Sequence, residues 1–106
     1  MSNPIHHNRK ALSATELVTQ LSLLNGEQAT GWRLIDGALE RSFSFKNFHE
    51  TIGFVNALAF IANAEDHHPD LLVSYGKCTV RFNTHDVQGI SVSDFFCASK
   101  TDALLA

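Results

Sequence analysis

An α+β fold with the element order αββαββα is predicted by the sequence, with a four-stranded antiparallel sheet and helices packed on one face. Three stretches carry apolar residues at the spacings of an amphipathic helix. Two further regions carry apolar residues at alternate positions, and a short turn that contains glycine divides each of them. Pairs of antiparallel strands should therefore lie between the three helices.

The first helix should begin at Ser13, after an N-terminal arm of residues 1–11 that is expected to be flexible. Ser13 and Glu16 form a capping box, in which each side chain binds a backbone N–H that the first turn leaves without a partner. Asn25-Gly26 provides a left-handed stop. The apolar stripe between these signals consists of Leu17, Leu21 and Leu24. Residues 12–106 are expected to form one domain.

After the first helix, apolar residues no longer recur at helical spacing and instead occupy every second position, as in a strand. Asp36-Gly37 tolerates the positive φ angles of a tight hairpin turn, so two antiparallel strands should flank it. The alternating apolar residues are Trp32 and Leu34 before the turn and Leu39, Phe43 and Phe45 after it.

A second helix should begin at the capping signal Asn47 and Glu50 and run to about Asp66. Its apolar stripe consists of Phe48, Ile52, Val55, Ala59 and Ala62. Three more apolar residues widen this stripe: Phe54, Leu58 and Ile61. One sheet in so small a domain cannot cover an apolar surface of this breadth. We therefore expect a homo-oligomer, either a dimer or a tetramer, that assembles through helix 48–64.

The second strand pair should follow Pro69, which forces His68 out of helical geometry. The strands are expected at residues 71–75 and 78–84, with a turn at Gly76-Lys77. Apolar and polar residues alternate along the second of these strands, which predicts one buried face and one polar face.

A third helix should be capped by Ser91 or Ser93. Its spaced apolar residues are Val92, Phe96 and Ala103. Asp94 falls in the first turn, where a carboxylate complements the free N–H groups, so a helix-capping role is the favoured interpretation of this residue.

Composition excludes several classes of function. The net charge of −3 gives no basic surface for direct nucleic-acid binding, and no apolar run is long enough to cross a membrane. The polar N-terminus has no signal-peptide segment, so a cytoplasmic protein is expected. Cys78 and Cys97 are too few for a disulfide framework, and reduced thiols are the default.

The most informative pattern is a set of histidines at defined intervals. Five residues separate Pro69 from Tyr75, nine separate Tyr75 from His85, and eight separate His85 from Asp94. With His67 and His68 directly before the proline, the sequence resembles the pterin-4a-carbinolamine dehydratases. The resemblance extends from a Gly-Trp pair before the first strand over most of the chain after the first helix.

This resemblance implies a hydro-lyase that dehydrates a 4a-hydroxytetrahydropterin, the tetrahydrobiopterin-4a-carbinolamine, to the quinonoid dihydropterin. The reaction belongs to the recycling of the tetrahydropterin cofactor, and the enzyme needs no cofactor of its own. The implied catalytic residues are His67, His68 and His85. The implied substrate-binding residues are Asp66, His67, His68, Pro69, Asn83, Thr84, His85 and Asp86, with Trp32 divided between a pocket wall and core packing.

The chemistry also follows from the residue types. Losing a hydroxyl from a carbinolamine requires an acid for the departing oxygen and a base for the neighbouring ring N–H, and imidazole serves as either near neutral pH. His67 is the candidate acid, because it follows Asp66 at the end of the second helix. The resemblance implies that His85 shares the acid–base work and that His68 mainly orients the pterin.

Two positions depart from the family pattern, since Asn63 replaces an acidic residue of many members and Leu71 replaces a tryptophan of several. Alternatives remain open at this point. A metal site built from the three histidines is disfavoured, because adjacent residues that enter an extended segment point to opposite faces. The second helix could instead make the protein a dimerisation cofactor of a transcription factor, as some animal relatives are. A third alternative is action on another pterin, such as a molybdopterin-related intermediate.

Overall fold

The computed structural model describes residues 10–28 and 31–106 and confirms the predicted element order. The helices are α1 (Ala14–Asn25), α2 (Phe48–Glu65) and α3 (Val92–Ala103), and the strands are β1 (Arg33–Ile35), β2 (Ala38–Ser44), β3 (Asp70–Ser74) and β4 (Lys77–Phe82). A 3₁₀ turn, His85–Val87, lies between β4 and α3. Most of the arm predicted at residues 1–11 lies outside the described residues and stays a prediction.

The capping signals mark the helix starts. Ser13 N donates to Glu16 Oε1 at 2.8 Å, and Ser13 Oγ accepts from Glu16 N at 3.2 Å. The backbone N–H of Ser13 is the main reason that the pKa of Glu16 lies below its ordinary value. Asn47 Oδ1 caps α2 by accepting from Glu50 N at 2.9 Å. Of the two serines considered for α3, Ser91 is the cap residue.

The sheet has the strand order β1-β2-β4-β3, and every pair is antiparallel. The first hairpin turns at Asp36 and Gly37, whose φ angles of 49° and 77° match the twist of a two-residue hairpin. The strand order places both hairpins side by side, with β2 and β4 in the centre. As a result β4, which leads to His85, is supported on both edges.

The second hairpin turns one residue earlier than predicted. Ser74 pairs with Lys77, so the turn residues are Tyr75 and Gly76 rather than Gly76 and Lys77. Glycine is required here by close packing, because a Cβ at position 76 would lie 2.9 Å from the carbonyl oxygen of Phe45. Neither Tyr75 nor Gly76 has a positive φ angle, in contrast to Asp36 and Gly37 of the first hairpin.

The core lies between one face of the sheet and the helices α2 and α3, as predicted. Its buried apolar side chains include Leu39 and Phe43 of β2, Val80 and Phe82 of β4, Phe54 and Leu58 of α2, and Phe95 and Ala98 of α3. The opposite face is polar, with an Arg81–Glu40 ion pair across the two central strands. Cys78 and Cys97 are both buried, and burial raises the pKa of Cys78.

Candidate active site

The histidines meet where α2 ends and β4 ends. Asp66 closes α2 in the left-handed conformation, at φ 49° and ψ 44°, and the backbone N–H of His67 donates to Ala62 O at 3.0 Å. Pro69 then directs the chain into β3, and β4 returns to the same end of the sheet. A cavity of about 310 Å³ opens there. It is lined by Asp66, His67, His68, Pro69, Asp70, Asn83, His85 and Asp86.

His67 is the buried member of this group, with 4% of its surface exposed. Its Nε2 lies 2.5 Å from Oδ1 of Asp94, a residue of the first turn of α3 that is fully buried. The ring of His67 also stacks on Phe82, with centroids 6.2 Å apart and planes inclined by 10°. The hydrogen bond and the stacking together fix both the direction and the plane of this imidazole.

Asp94 is held in turn by two donors on its other oxygen. Thr84 Oγ1 donates to Oδ2 at 2.7 Å, and the backbone N–H of Ser91 donates to the same atom at 2.9 Å. Because the hydroxyl proton of Thr84 is committed to Asp94, Ser91 Oγ must donate to Thr84 Oγ1, at 2.7 Å. Asp94 therefore has the predicted capping role. Capping does not account for the whole carboxylate, however, because its other oxygen binds His67.

The other two histidines lie at the solvent side of the cavity. His68 is exposed, and its Nε2 lies 3.0 Å from Oδ1 of Asn63 in the last turn of α2. His85 is exposed at the start of the 3₁₀ turn. The cavity thus combines one buried, carboxylate-bound imidazole with two imidazoles that solvent reaches.

Two residues proposed for substrate binding lie elsewhere in the structure. Thr84 is fully buried behind His67 and does not line the cavity, because the alternation that turns Val80 and Phe82 toward the core continues to this position. Trp32 is 1% exposed in the core, where its Nε1 donates to Asp102 at 3.0 Å. Sequence reasoning also missed Asp70, although its position directly after Pro69 was a usable signal.

The indole bond belongs to a polar cluster at the far end of α3. Asp102 accepts from Trp32 and, at 3.1 Å, from Arg41 of β2. Burial raises the pKa of Asp102, while these two partners lower it by a smaller amount. Tyr75 is likewise remote from the cavity, exposed in the β3–β4 turn.

Other kinds of site receive no support from the part of the chain that the structure describes. Within residues 10–28 and 31–106, no three histidine, cysteine or acidic side chains are arranged to hold a metal ion. No helix in those ranges is both long and apolar enough to cross a membrane.

Comparison with known proteins supplies the family. A family model described as pterin 4 alpha carbinolamine dehydratase matches residues 10–104. The chain belongs to this family. A relative in Paracidovorax citrulli, provisionally named a pterin-4-alpha-carbinolamine dehydratase, is 57% identical over 103 residues, covering 94% of this chain and 85% of that protein. A relative of the same provisional name in Stenotrophomonas maltophilia is 60% identical over 79 residues, covering 73% of this chain and 68% of that protein.

Solved structures of pterin dehydratases share the fold. The crystal structure of a transcriptional coactivator/pterin dehydratase from Brucella melitensis superposes with a TM-score of 0.83 and 31% identity, covering 92% of this chain and all of that one. A pterin dehydratase-like protein that acts as a RuBisCO assembly factor in the alpha-carboxysome gives a TM-score of 0.62 at 20% identity, over 72% of this chain and 90% of that chain. The second likeness concerns the pterin dehydratase fold alone.

Proposed function

We propose that this protein is a hydro-lyase that dehydrates a 4a-hydroxytetrahydropterin to the quinonoid dihydropterin, in the recycling of a tetrahydropterin cofactor. One observation carries the proposal: the buried pair of His67 and Asp94 lies at the wall of a cavity that two further histidines line. Family membership supplies the reaction class, and the cavity supplies groups that can exchange two protons.

The reaction breaks an N–H bond and a C–O bond of the substrate, and it forms the second bond of a C=N group and an O–H bond of water. A base removes the proton from the ring nitrogen, the electron pair of that N–H bond becomes the second bond of C=N, and the C–O bond breaks as an acid protonates the departing hydroxyl. Water is released, and the substrate is neither oxidised nor reduced overall. The protein therefore has to supply an acid, a base and a fixed orientation of the ring.

His67 is the proposed acid. Asp94 carries two donors on Oδ2, so its Oδ1 acts as the acceptor for the Nε2–H of His67. Proton exchange with the substrate then belongs to Nδ1 of the same ring. A buried carboxylate in this position orients the imidazole and stabilises the imidazolium, as the aspartate of a Ser-His-Asp triad does.

His85 is the proposed base, and His68 orients the pterin. The exposure of His85 lets its proton return to solvent after each turnover, whereas the burial of His67 suits a group whose orientation must not change. A positioned acid or base contributes roughly 10² to 10⁴ in rate.

Stopped-flow measurement of carbinolamine decay, with and without the protein, tests the proposed activity. We expect the wild-type protein to accelerate decay and the double variant His67→Ala/His85→Ala, with its fold checked by circular dichroism, to lose that acceleration. His49→Ala is the matched control, because His49 is exposed in the first turn of α2 and outside the cavity. Decay at the uncatalysed rate with wild-type protein would refute the dehydratase proposal.

Self-association through α2 is a further part of this proposal. Thr51, Phe54, Leu58 and Ala62 form the buried face of the helix. Phe60 projects on the opposite side of the helix, with 79% of its surface exposed. Phe48, the first residue of α2, is 49% exposed. Aromatic side chains of this exposure favour an interface, and a second copy of the same helix is the simplest complementary surface.

A protein-binding role is the second candidate function. The same exposed face of α2 favours it, and the Brucella melitensis relative is described as a transcriptional coactivator as well as a pterin dehydratase. A folded double histidine variant that retains full dehydratase activity would remove the histidine mechanism, whereas a wild-type protein that does not accelerate carbinolamine decay would favour this second role.

A further inference from the structure

Adjacent histidines at the end of α2 have partners of different charge. Nε2 of His67 meets the buried carboxylate of Asp94, whereas Nε2 of His68 meets the neutral amide of Asn63, with the two atoms 3.0 Å apart. The left-handed residue Asp66 makes the second contact possible, because it folds the chain back toward the last turn of α2. His68 can therefore reach a side chain five residues earlier.

The contact with Asn63 specifies which nitrogen of His68 carries the hydrogen. Oδ1 of an asparagine only accepts hydrogen bonds, so Nε2 of His68 must be the donor. In a neutral imidazole that leaves Nδ1 as an acceptor.

We propose that Asn63 is a positioning residue for substrate binding: it holds His68 as the Nε2–H tautomer, so that Nδ1 accepts a hydrogen bond from an N–H group of the substrate. The other side chains of the cavity also suit a substrate that donates hydrogen bonds to the protein. Carboxylates of Asp66, Asp70 and Asp86 line it, and ionised carboxylates are acceptors that suit a heterocycle rich in N–H donors. The identity of the substrate rests on the proposed function, whereas the tautomer is a property of the protein alone.

The tautomer is tested first, by two-dimensional ¹H–¹⁵N correlation of the imidazole rings at a pH well above the ~6.5 at which free histidine titrates. We expect His68 to show the Nε2–H pattern in the wild-type protein. Asn63→Leu, which is similar in size but has no polar atom, should shift His68 toward the mixture of tautomers expected of an exposed histidine such as His49. Asn63→Asp should retain the wild-type pattern at this pH, because it keeps an acceptor oxygen.

The functional consequence is tested on the same variants. Asn63→Leu should raise KM for the carbinolamine and Kd for a stable oxidised pterin by about two- to tenfold, the worth of one hydrogen bond, with a smaller change in kcat. Asn63→Asp should restore both constants at high pH. Asn56→Leu is the matched control, because Asn56 is an exposed asparagine two turns earlier on the same helix, and it should change neither the tautomer nor the two constants.

Each outcome supports or overturns a defined step. An Nδ1–H pattern for wild-type His68, or a pattern that Asn63→Leu does not change, overturns the tautomer assignment. The expected tautomer with an unchanged KM and Kd in Asn63→Leu overturns the role in substrate binding. A protein that shows the tautomer and binds the pterin but does not accelerate carbinolamine decay refutes the proposed function and leaves the role of Asn63 standing.

Discussion

Nε2 of His67 lies 2.5 Å from Oδ1 of Asp94, and 27 positions of sequence separate the two residues. The contact joins the end of α2 to the beginning of α3, and no solvent reaches the carboxylate. A buried carboxylate is tolerated only when its oxygens are bound, which Thr84, Ser91 and His67 achieve together. The first predictions test whether this pair serves catalysis.

Asp94→Asn should lower kcat by roughly 10² to 10⁴, comparable to the same change in a Ser-His-Asp triad. The Ser91 N–H requires an acceptor, so the amide oxygen of the asparagine will take that side and its NH₂ group will face His67. His67 then has to accept at Nε2, so the ring cannot carry a proton on both nitrogens, and the imidazolium that serves as the acid is lost. Steady-state kinetics measures the change in kcat, and the melting temperature serves as the stability control. An unchanged kcat would mean that Asp94 acts only as a helix cap.

His67→Ala and His85→Ala should each reduce kcat by roughly 10² or more, whereas His68→Ala should act mainly on KM. The effects at His67 and His85 should be less than additive if both groups serve one elimination step. Single-turnover kinetics on the two single variants and the double variant give the coupling. Fully additive losses would indicate that the two histidines act in separate steps.

Thr84→Val should destabilise the protein by about 1–3 kcal/mol and also reduce turnover, because it removes a donor from a buried carboxylate that binds His67. Thr51→Val is the matched control: Thr51 is equally buried, and its hydroxyl shares its one hydrogen between Asn47 O and Tyr75 O, away from the cavity. The control should lose stability without a change in kcat/KM. Equal kinetic effects in both variants would mean that Thr84 contributes stability only.

The Asp102 carboxyl should titrate above its ordinary 3.8, because burial disfavours its charged form. The folded state then binds more protons than the unfolded state, so the contribution of Asp102 to stability falls as pH rises from the unfolded pKa through the folded one. Arg41→Met removes a partner that lowers this pKa and should raise it further. Carbon-detected NMR titration of the carboxyl measures both values; a pKa below 3.8 in the wild-type protein would contradict this.

Phe60→Glu should reduce the mass of the protein in solution toward 11.7 kDa, the mass of one chain, because it places a charge at the centre of the exposed face of α2. Light scattering at micromolar concentration measures the mass. Leu23→Glu, at a similarly exposed residue of α1, is the control and should leave the mass of the assembly unchanged. A wild-type mass near 11.7 kDa would rule out self-association.

Local signals in the sequence were sufficient for the order of the elements. A helix start depends on residues three positions apart, such as Ser13 and Glu16, and a hairpin turn depends on two adjacent residues, such as Asp36 and Gly37. These interactions form within a few residues, so they can be identified without a tertiary structure. The misplaced turn at Gly76 illustrates the limit, because that glycine is required by contact with Phe45, a residue of another segment.

The sequence by itself determined the element order and the convergence of the three histidines, since a helix end and a returning hairpin bring His67, His68 and His85 together through local connections. Only the tertiary structure decided their environments. Packing α3 against the end of α2 buried Asp94 against His67 and beside Thr84, and the far end of α3 brought Asp102 to Trp32 in the core. Burial and hydrogen-bond partners depend on segments far apart in the sequence, and no periodicity within one segment specifies which distant side chain it will meet.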